Sequence, residues 1–328
     1  MSRIFSGIRP TGPMHLGNYV GAVSKWVKLQ DSYECVYCVV DWHAITTEYE
    51  NLKSYNLRER SEQKAMELIA AGVDPEKSIL FVQSDVPAHV ELALLFGMFV
   101  PLPWLERVPT YKEQIQNLSG KDLLTYGFLG YPVLQAADIL VYKATHVPVG
   151  EDQLPHIELA REIARRFNNF YGDLFPEPEA IQSETTRLPG LDNRKMSKSY
   201  NNAIDMIDSP EVTAKKISGM ITDPQRIRRS DPGNPDVCTV FTYHKVFTPP
   251  ARTREIDHLC RTAGIGCVEC KRELAANVNA YLAEFRERYA EIAARPERLR
   301  EILGDGAARA NAIASRILAE AKQAIGLI

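Results

Sequence analysis

Residues 3–22 read RIFSGIRPTGPMHLGNYVGA and are the most informative stretch of this chain for its fold. The stretch begins as a short apolar strand, turns through Pro10, Gly12 and Pro13, and enters a helix near Gly17. A glycine at such a turn lets a ligand approach the backbone, and a helix N-terminus offers N–H groups to an anion. The pattern therefore predicts a nucleotide site, although similar turns also serve packing and neither GxGxxG nor GK[ST] is present.

Strand and helix patterns alternate through the first half of the chain. Apolar or β-branched runs predict strands at residues 3–6, 35–40, 78–82 and 146–149. Amphipathic patterns predict helices at residues 17–29, 57–71, 90–99, 133–143 and 156–167. After about residue 200 only helical spacing remains, at residues 211–220, 272–293 and 296–324. The predicted fold is α/β, with a Rossmann-type parallel sheet followed by an all-helical C-terminal domain.

Composition limits the possible partners of this chain. Its 328 residues include 42 acidic and 39 basic side chains, for a net charge of −3. A nucleic-acid site must therefore be a local patch. The sequence has no uncharged apolar run of the 18 residues or more that a membrane span needs, and we expect a cytoplasmic protein that does not enter a membrane.

A second motif lies in the stretch LPGLDNRKMSKSYNN. Lys195, Met196, Ser197, Lys198 and Ser199 place two ammonium groups and two hydroxyls on a predicted loop. Such a loop can close over a polyphosphate, whereas a lysine-rich pentapeptide taken alone is more often a solvated loop. We predict a catalytic domain over residues 1–190, a mobile loop over 191–200 and a helical domain over 201–328.

The two motifs together resemble a known family. HLGN at residues 15–18 resembles the HIGH signature of class I aminoacyl-tRNA synthetases, and KMSKS is their second signature. FSGIRPTGPMHLGNYVGA, DWHAIT, AADILVY and VPVGEDQ closely resemble bacterial tryptophanyl-tRNA synthetases. The resemblance implies a homodimeric ligase that activates L-tryptophan with ATP to an adenylate and pyrophosphate, then charges tRNA(Trp).

The same resemblance implies a set of residues for ATP. Lys195, Lys198 and His15 would be catalytic, holding or approaching the phosphates, and Mg²⁺ would accompany ATP. Many relatives have glutamine at position 9, where this chain has arginine, and a second lysine where it has Gln114. The implied ATP contacts are Arg9, Thr11, Gly17, Asn18, Lys112, Gly150, Glu151, Asp152, Gln153, Leu188, Lys195, Met196, Ser197, Lys198 and Ser199.

Asp138 is the candidate for recognition of the amino acid. It lies in the apolar helix pattern AADILVY, where an unpaired carboxylate would be costly. An indole N–H only donates, so a buried acidic oxygen suits it, although an internal partner would satisfy Asp138 equally. Apolar or aromatic walls, which could also be plain core positions, are predicted at Phe5, Val40, His43, Val141 and Val149.

Four cysteines in the helical part have the spacing C-x21-C-x6-C-x2-C, at Cys238, Cys260, Cys267 and Cys270. Four thiolates suit a tetrahedral Zn²⁺ or a [4Fe-4S] cluster, and the spacing does not choose between them. A similar pattern in some bacterial tryptophanyl-tRNA synthetases implies the cluster. Cys35 and Cys38 also read CxxC, but residues three apart on a strand point to opposite faces, so they are predicted to be structural.

Basic residues near these cysteines are candidates for tRNA contact. IRRSD at 227–231 with Lys245, Arg252 and Arg254 could contact phosphates, and Tyr243 or Phe247 could stack on a base. A solvated helical face is the alternative. For the whole chain, the other functions considered are a tyrosyl-tRNA synthetase, a non-catalytic tRNA-binding paralogue and a small-molecule adenylating enzyme such as a pantothenate synthetase.

Overall fold

A computed structural model describes residues 2–109, 124–182, 188–197 and 200–328. The chain forms two compact units, which are described separately. The first unit contains residues 1–12, 25–184 and 292–328, and the second contains residues 13–24 and 185–291. Among the helices of the described residues, none has the length and apolar character that crossing a membrane requires.

A parallel sheet of five strands forms the centre of the first unit, in the order β3-β2-β1-β4-β5. The strands are β1 (Arg3–Ile8), β2 (Glu34–Val39), β3 (Ile79–Val82), β4 (His146–Val149) and β5 (Glu179–Gln182). Ile4 of β1 pairs with Cys35 of β2 on one side and with His146 of β4 on the other. The Rossmann-type parallel sheet that the sequence predicts is confirmed, as are its four predicted strands.

The helices alternate with the strands in the first half and then follow one another. They are α1 (Leu16–Asn18), α2 (Ser24–Leu29), α3 (Asp41–Glu48), α4 (Leu52–Tyr55), α5 (Leu57–Ala70), α6 (Ala88–Gly97), α7 (Leu102–Glu106), α8 (Tyr126–Leu140), α9 (Leu154–Tyr171), α10 (Pro210–Ser218), α11 (Thr239–Phe247), α12 (Pro250–Arg261), α13 (Cys267–Ala293) and α14 (Pro296–Ala324). A π-helical turn, Tyr19–Val23, separates α1 from α2.

The core of the first unit lies between the sheet and its helices. Val36, Phe81, Leu140 and Ile163 belong to it and are almost completely buried. Helix α8 begins at Tyr126 because the Thr125 hydroxyl accepts a hydrogen bond from the Phe128 amide at 3.2 Å, an N-cap. The cap fixes the start of the helix that carries Asp138.

The last helix corrects the predicted domain boundary. The sequence assigns residues 201–328 to one helical domain, but α14 belongs to the first unit. Its buried residues Ala310, Ala314 and Ile317 join the core beneath the sheet. Arg309 donates to the Pro75 carbonyl at 2.9 Å, just before β3. The apolar face of α14 is therefore satisfied by the sheet, which no local pattern could indicate.

The second unit is built from helices around a small core of its own. Ile217, Leu274, Val278 and Leu282 are fully buried. Helix α13 is tied to α10 because Arg286 donates to the Thr213 hydroxyl at 2.9 Å. Residues 13–24 also belong to this unit, so the HLGN segment and the segment that follows residue 188 are neighbours.

Candidate active site

In the first unit, the candidate site lies at the carboxyl ends of the parallel strands. The strand order reverses between β1 and β4, which is where ligands bind in open α/β sheets. Arg9 and Thr11 follow β1 and are exposed, and the turn Glu151–Gln153 follows β4 directly after Gly150. These two segments carry residues predicted to bind ATP, and the strands that they follow, β1 and β4, are neighbours in the sheet.

Asp138 is held by side chains from three different segments. It lies in α8 and is only 1% exposed. Its Oδ1 accepts a hydrogen bond from Gln83 Nε2 at 2.6 Å and lies 2.7 Å from His89 Nδ1. Its Oδ2 lies 2.8 Å from His43 Nε2. The internal partners that the sequence left open are thus two histidines and a glutamine.

Charge and geometry keep this buried carboxylate ionised. Burial raises the pKa of Asp138, but the charge of His43 and the hydrogen bonds from His43 and His89 outweigh it and hold the pKa below its ordinary value. The orientation of the Gln83 amide is also fixed, because Gln83 Oε1 accepts from the Trp42 amide at 3.1 Å. Asp138 is therefore a fixed, negatively charged acceptor.

Of the predicted apolar walls of the tryptophan site, three are buried and one is half-buried. Phe5 of β1 is buried and its ring stacks on Tyr142, with centroids 5.7 Å apart and planes 8° apart. Val40 is also buried, whereas Val149 at the end of β4 is half-buried. Val141 is completely enclosed in the core, which is the packing role that the sequence left open for it.

Several site residues were missed by the sequence analysis. Gln83 and His89 are fully buried beside Asp138, and Tyr131 lies edge-on to His43 with ring centroids 6.3 Å apart. The Tyr131 hydroxyl is 3.3 Å from Nε2 of the buried His156. One signal was available, because Gln83 directly follows β3 and the carboxyl ends of parallel strands share one edge of the sheet.

In the second unit, the HLGN segment forms the start of α1. His15 is its N-cap, and its Nδ1 accepts a hydrogen bond from the Asn18 amide at 3.1 Å. A Cβ at Gly17 would lie only 3.1 Å from that nitrogen, so a larger residue would crowd the cap. The Gly17 amide contacts Met196 Sδ at 3.3 Å, which brings the two sequence signatures together.

The loop that carries Lys195, Met196 and Ser197 is clamped by Asn202. Its Oδ1 accepts from the Ser197 amide at 2.8 Å. Its Nδ2 donates to Asp192 Oδ1 at 2.6 Å and to the Lys195 carbonyl at 3.1 Å. Leu188 is buried at the start of the loop, while the Lys195 side chain is exposed. Lys112, Lys198 and Ser199, which the sequence also assigns to ATP, lie outside the described residues.

The four cysteines come from neighbouring elements of the second unit. Cys238 precedes α11, Cys260 lies in α12, and Cys267 and Cys270 lie in the first turn of α13. Burial and then the other three thiols raise the pKa of Cys270 to about 12. Within the described residues, however, no three Cys, His, Asp or Glu side chains form a group that could hold a metal ion.

Two polar side chains lie against these sulfurs. Arg226 Nη1 is 3.9 Å from Cys260 Sγ and 3.8 Å from Cys267 Sγ. His244 Nε2 is 3.3 Å from Cys270 Sγ, and His244 Nδ1 is 2.8 Å from the Thr248 hydroxyl. Cys35 and Cys38 are both buried in β2, as predicted for structural residues.

Only some of the residues predicted to contact tRNA are exposed. Arg228, Arg229, Lys245 and Arg254 are exposed. The stacking role predicted for Tyr243 and Phe247 is wrong in this structure, since both rings are buried and Tyr243 donates to the Pro189 carbonyl at 2.6 Å. Both Nε and Nη2 of Arg252 donate to the Glu273 carboxylate at 2.7 Å, so its guanidinium already has an anionic partner.

Comparisons with known proteins agree with this architecture. The profile of the family described as tRNA synthetases class I (W and Y) matches residues 1–283. The tryptophan–tRNA ligase of Thermotoga maritima is 50% identical over 328 residues, which cover 99% of each chain. That of Deinococcus radiodurans is 44% identical and covers 100% of this chain and 99% of its own.

A solved structure extends the similarity to three dimensions. The tryptophanyl-tRNA synthetase of Campylobacter jejuni, complexed with ADP and tryptophan, has a TM-score of 0.91 at 36% identity and covers 99% of both chains. The profile spans more than half of the chain, and these bacterial relatives match it from end to end. The chain therefore belongs to the class I tRNA synthetases (W and Y), as an aminoacyl-tRNA synthetase of the tryptophan–tRNA ligase type.

Proposed function

We propose that this chain joins tryptophan to tRNA(Trp) in two steps. The tryptophan carboxylate attacks the α-phosphate of ATP and pyrophosphate leaves, and a ribose hydroxyl of the tRNA then attacks the carbonyl and AMP leaves. The observation that carries the proposal is Asp138, a buried and ionised acceptor beside the carboxyl ends of the strands. An indole N–H is a matching donor, because it gives one hydrogen bond and accepts none.

The first step can be tested by amino-acid-dependent exchange of pyrophosphate into ATP. Tryptophan should support exchange and tyrosine should not, because Asp138 is fixed in direction and the phenol O–H of tyrosine lies at a different place on its ring from the indole N–H. Preferential exchange with tyrosine would overturn the assignment. Adenylate formation without charging of any tRNA would favour a small-molecule adenylating enzyme instead.

Catalysis rests on positioning and on charge, since the tryptophan carboxylate is already ionised and needs no general base. We assign Arg9, Thr11, Gly150, Glu151, Asp152 and Gln153 of the first unit, and His15, Gly17, Asn18, Leu188, Met196 and Ser197 of the second, to ATP. Lys195 and Lys198 balance the charge that develops on the departing pyrophosphate, and Mg²⁺ arrives with ATP. Lys112 and Ser199 remain assigned to ATP by resemblance.

For tRNA, we assign the exposed segment that contains Arg228 and Arg229. Both side chains are exposed, and Ile227 beside them is 88% exposed. Cationic side chains around an exposed apolar one suit the phosphates and unstacked bases of a single-stranded RNA loop. Replacement of both arginines should lower charging and leave pyrophosphate exchange unchanged. We expect the enzyme to act in the cytoplasm, where tRNA is used.

We also propose that Cys238, Cys260, Cys267 and Cys270 hold a metal centre, a [4Fe-4S] cluster or Zn²⁺. The donor type fits, since thiolates are the ligands that both centres prefer, and the thiols are close enough to raise the pKa of Cys270 together. A bound centre would brace the loops that precede α11 and α13. Arg226 Nη1 lies 3.9 Å from Cys260 Sγ and 3.8 Å from Cys267 Sγ, so its guanidinium could donate N–H···S hydrogen bonds to the ligands of a bound centre.

Metal analysis tests this proposal on protein purified without oxygen. About four iron and four sulfide per chain would identify the cluster, and one zinc would identify a structural site. Cys267→Ser should remove the metal, whereas Cys35→Ser, in the other CxxC pair, should retain it. Absence of both metals from the native protein would overturn the proposal.

We also propose that the chain forms a homodimer through an apolar face of the first unit. Four apolar side chains on this face are exposed: Leu94 (57%), Met98 (72%), Leu102 (59%) and Tyr126 (81%). Packing against a second copy would remove the free-energy cost of their contact with water. A 580 Å³ cavity opens on the same face, between α3, α6, α7 and α8. Light scattering should give twice the chain mass, and Met98→Asp should lower it towards one chain if this face is the interface.

A further inference from the structure

Asp138 is the end of a hydrogen-bonded chain that runs back into the core. His89 Nδ1 lies 2.7 Å from Asp138 Oδ1, and His89 Nε2 lies 2.7 Å from the Tyr142 hydroxyl. His89 and Tyr142 are both completely buried. Their rings pack on Phe81, and Tyr142 also stacks on Phe5 of β1. Packing thus fixes both His89 and Tyr142 in this series of hydrogen bonds.

The direction of each hydrogen bond follows from the donors. An ionised Asp138 only accepts, so His89 must donate through Nδ1. A neutral His89 that donates through Nδ1 accepts through Nε2, and the Tyr142 hydroxyl is the donor within reach. Burial, with Cys38 and Asp138 nearby, raises the pKa of Tyr142 well above its ordinary value, so this hydroxyl keeps its proton. Tyr142 therefore selects the tautomer of His89.

The two oxygens of Asp138 are held differently. Oδ1 has two partners, Gln83 and His89, which are both fully buried. Within the described residues, Oδ2 has one, His43, which is 7% exposed. A carboxylate oxygen can accept two hydrogen bonds, so Oδ2 retains the capacity for another donor. Fixing Oδ1 also fixes the direction in which Oδ2 can accept.

We propose that His89 and Tyr142 are positioning residues for tryptophan: they lock Asp138 Oδ1 so that Oδ2 is aimed to accept the indole N–H. This inference rests on the proposed function. Neither residue touches the substrate, and each acts through Asp138. The consequence is that specificity for an N–H group depends on a tyrosine hydroxyl two hydrogen bonds away.

The test compares tryptophan with an analogue whose indole N–H is replaced by sulfur, benzothiophenyl-alanine, in pyrophosphate exchange. A hydrogen bond to a charged acceptor should favour tryptophan in kcat/KM by about tenfold to a hundredfold. In Tyr142→Phe the preference should fall at least about threefold, because KM for tryptophan rises while KM for the analogue does not. His89→Asn, whose amide can still donate to Oδ1, should keep more of the preference than His89→Leu.

A matched control removes another buried tyrosine hydroxyl from the same unit. Tyr37 is fully buried and donates to the Trp26 carbonyl at 2.7 Å, so Tyr37→Phe should leave the preference unchanged. An equal loss with both substrates in Tyr142→Phe would make its role purely structural and overturn the inference, as would an unchanged preference. No exchange with tryptophan in the native enzyme would instead refute the proposed function, and no native preference over the analogue would refute the contact to Asp138.

Discussion

The single side chain of His156 illustrates how burial makes folding stability sensitive to acid. Its side chain is 2% exposed, and burial together with the nearby charge of His43 lowers its pKa from 6.5 to about 4. The folded protein therefore keeps His156 neutral between these two pH values, while the unfolded chain takes up a proton. Folding stability must fall as the pH falls through this window.

We predict that replacing His156 removes part of this dependence. Between pH 6.5 and about 4 the native protein should lose up to about 1.4 kcal/mol of unfolding free energy per pH unit through this one group. His156→Gln should show a correspondingly shallower loss in urea unfolding at pH 7, 6 and 5. Other titrating groups are common to both proteins, so parallel curves would contradict the prediction.

Asp138 shows a different balance. Burial alone would favour its protonated form, and the charge of His43 with the hydrogen bonds donated by His43 and His89 reverses that preference. The same carboxylate would be a liability in an apolar helix without them. The ionisation of Asp138 therefore depends on His43 and His89 as well as on Asp138 itself.

Among the loops and helices, the loop over residues 188–197 depends on the side-chain amide of Asn202. Asn202 is 2% exposed and holds three groups of the loop, the Ser197 amide, Asp192 Oδ1 and the Lys195 carbonyl. A side chain at Gly190 would collide with it, since a Cβ there would lie 2.2 Å from Asn202 Nδ2. The conformation of the loop that carries Lys195 is therefore stabilised by Asn202, a residue outside the KMSKS signature.

We predict that Asn202→Ala lowers kcat for pyrophosphate exchange by about tenfold, because a misplaced catalytic group costs on this order or more. Asn202→Asp should be no better, since a carboxylate cannot donate to Asp192 or to the Lys195 carbonyl. Steady-state exchange kinetics measure both variants. Asn279→Ala is the control, because that side chain bonds to Pro210 and Arg286 outside the loop and should leave kcat unchanged.

In the tertiary structure, the first unit is completed by a segment from the C-terminal part of the chain. Gly306 of α14 meets the backbone of β3, and a Cβ there would lie only 1.8 Å from the Leu80 carbonyl oxygen. Asn311 donates to the Asp85 carbonyl at 3.0 Å, just after the same strand. The sheet that carries the site is thus completed by residues more than 200 positions later in the sequence.

We predict that Gly306→Ala destabilises the protein by about 1–3 kcal/mol, because the helix must move off the strand to admit a methyl group. Gly304→Ala is a matched control two residues away. Apart from its chain neighbours and the backbone of its own helix, a Cβ there would have no described heavy atom within 4 Å, and alanine should stabilise the helix by about 0.5–1 kcal/mol. Urea unfolding measures both variants, and shifts in the same direction would contradict this account.

Much of the local structure follows from neighbouring residues. Strands β1 to β4, the bounds 296–324 of the last helix and the burial of Cys35 and Cys38 are all indicated by apolar runs or periodicity within short windows. Edge strand β5 was missed because it has only four residues, and their side chains are exposed or half-buried. The short helices α11 and α12 were also missed. Asp138 could be singled out because an acid in an apolar helix is costly wherever that helix lies.

Local sequence patterns are enough to predict the sheet, the two signatures with their class of chemistry, and the candidate acid at 138. The partners of Asp138, which lie 49, 55 and 95 residues away, and the place of α14 beneath β3 depend on how distant segments pack. The physical reason is that a periodic pattern records whether a side chain is buried but not what it is buried against. Partners are chosen when distant segments pack together, and the specificity of this site depends on those partners.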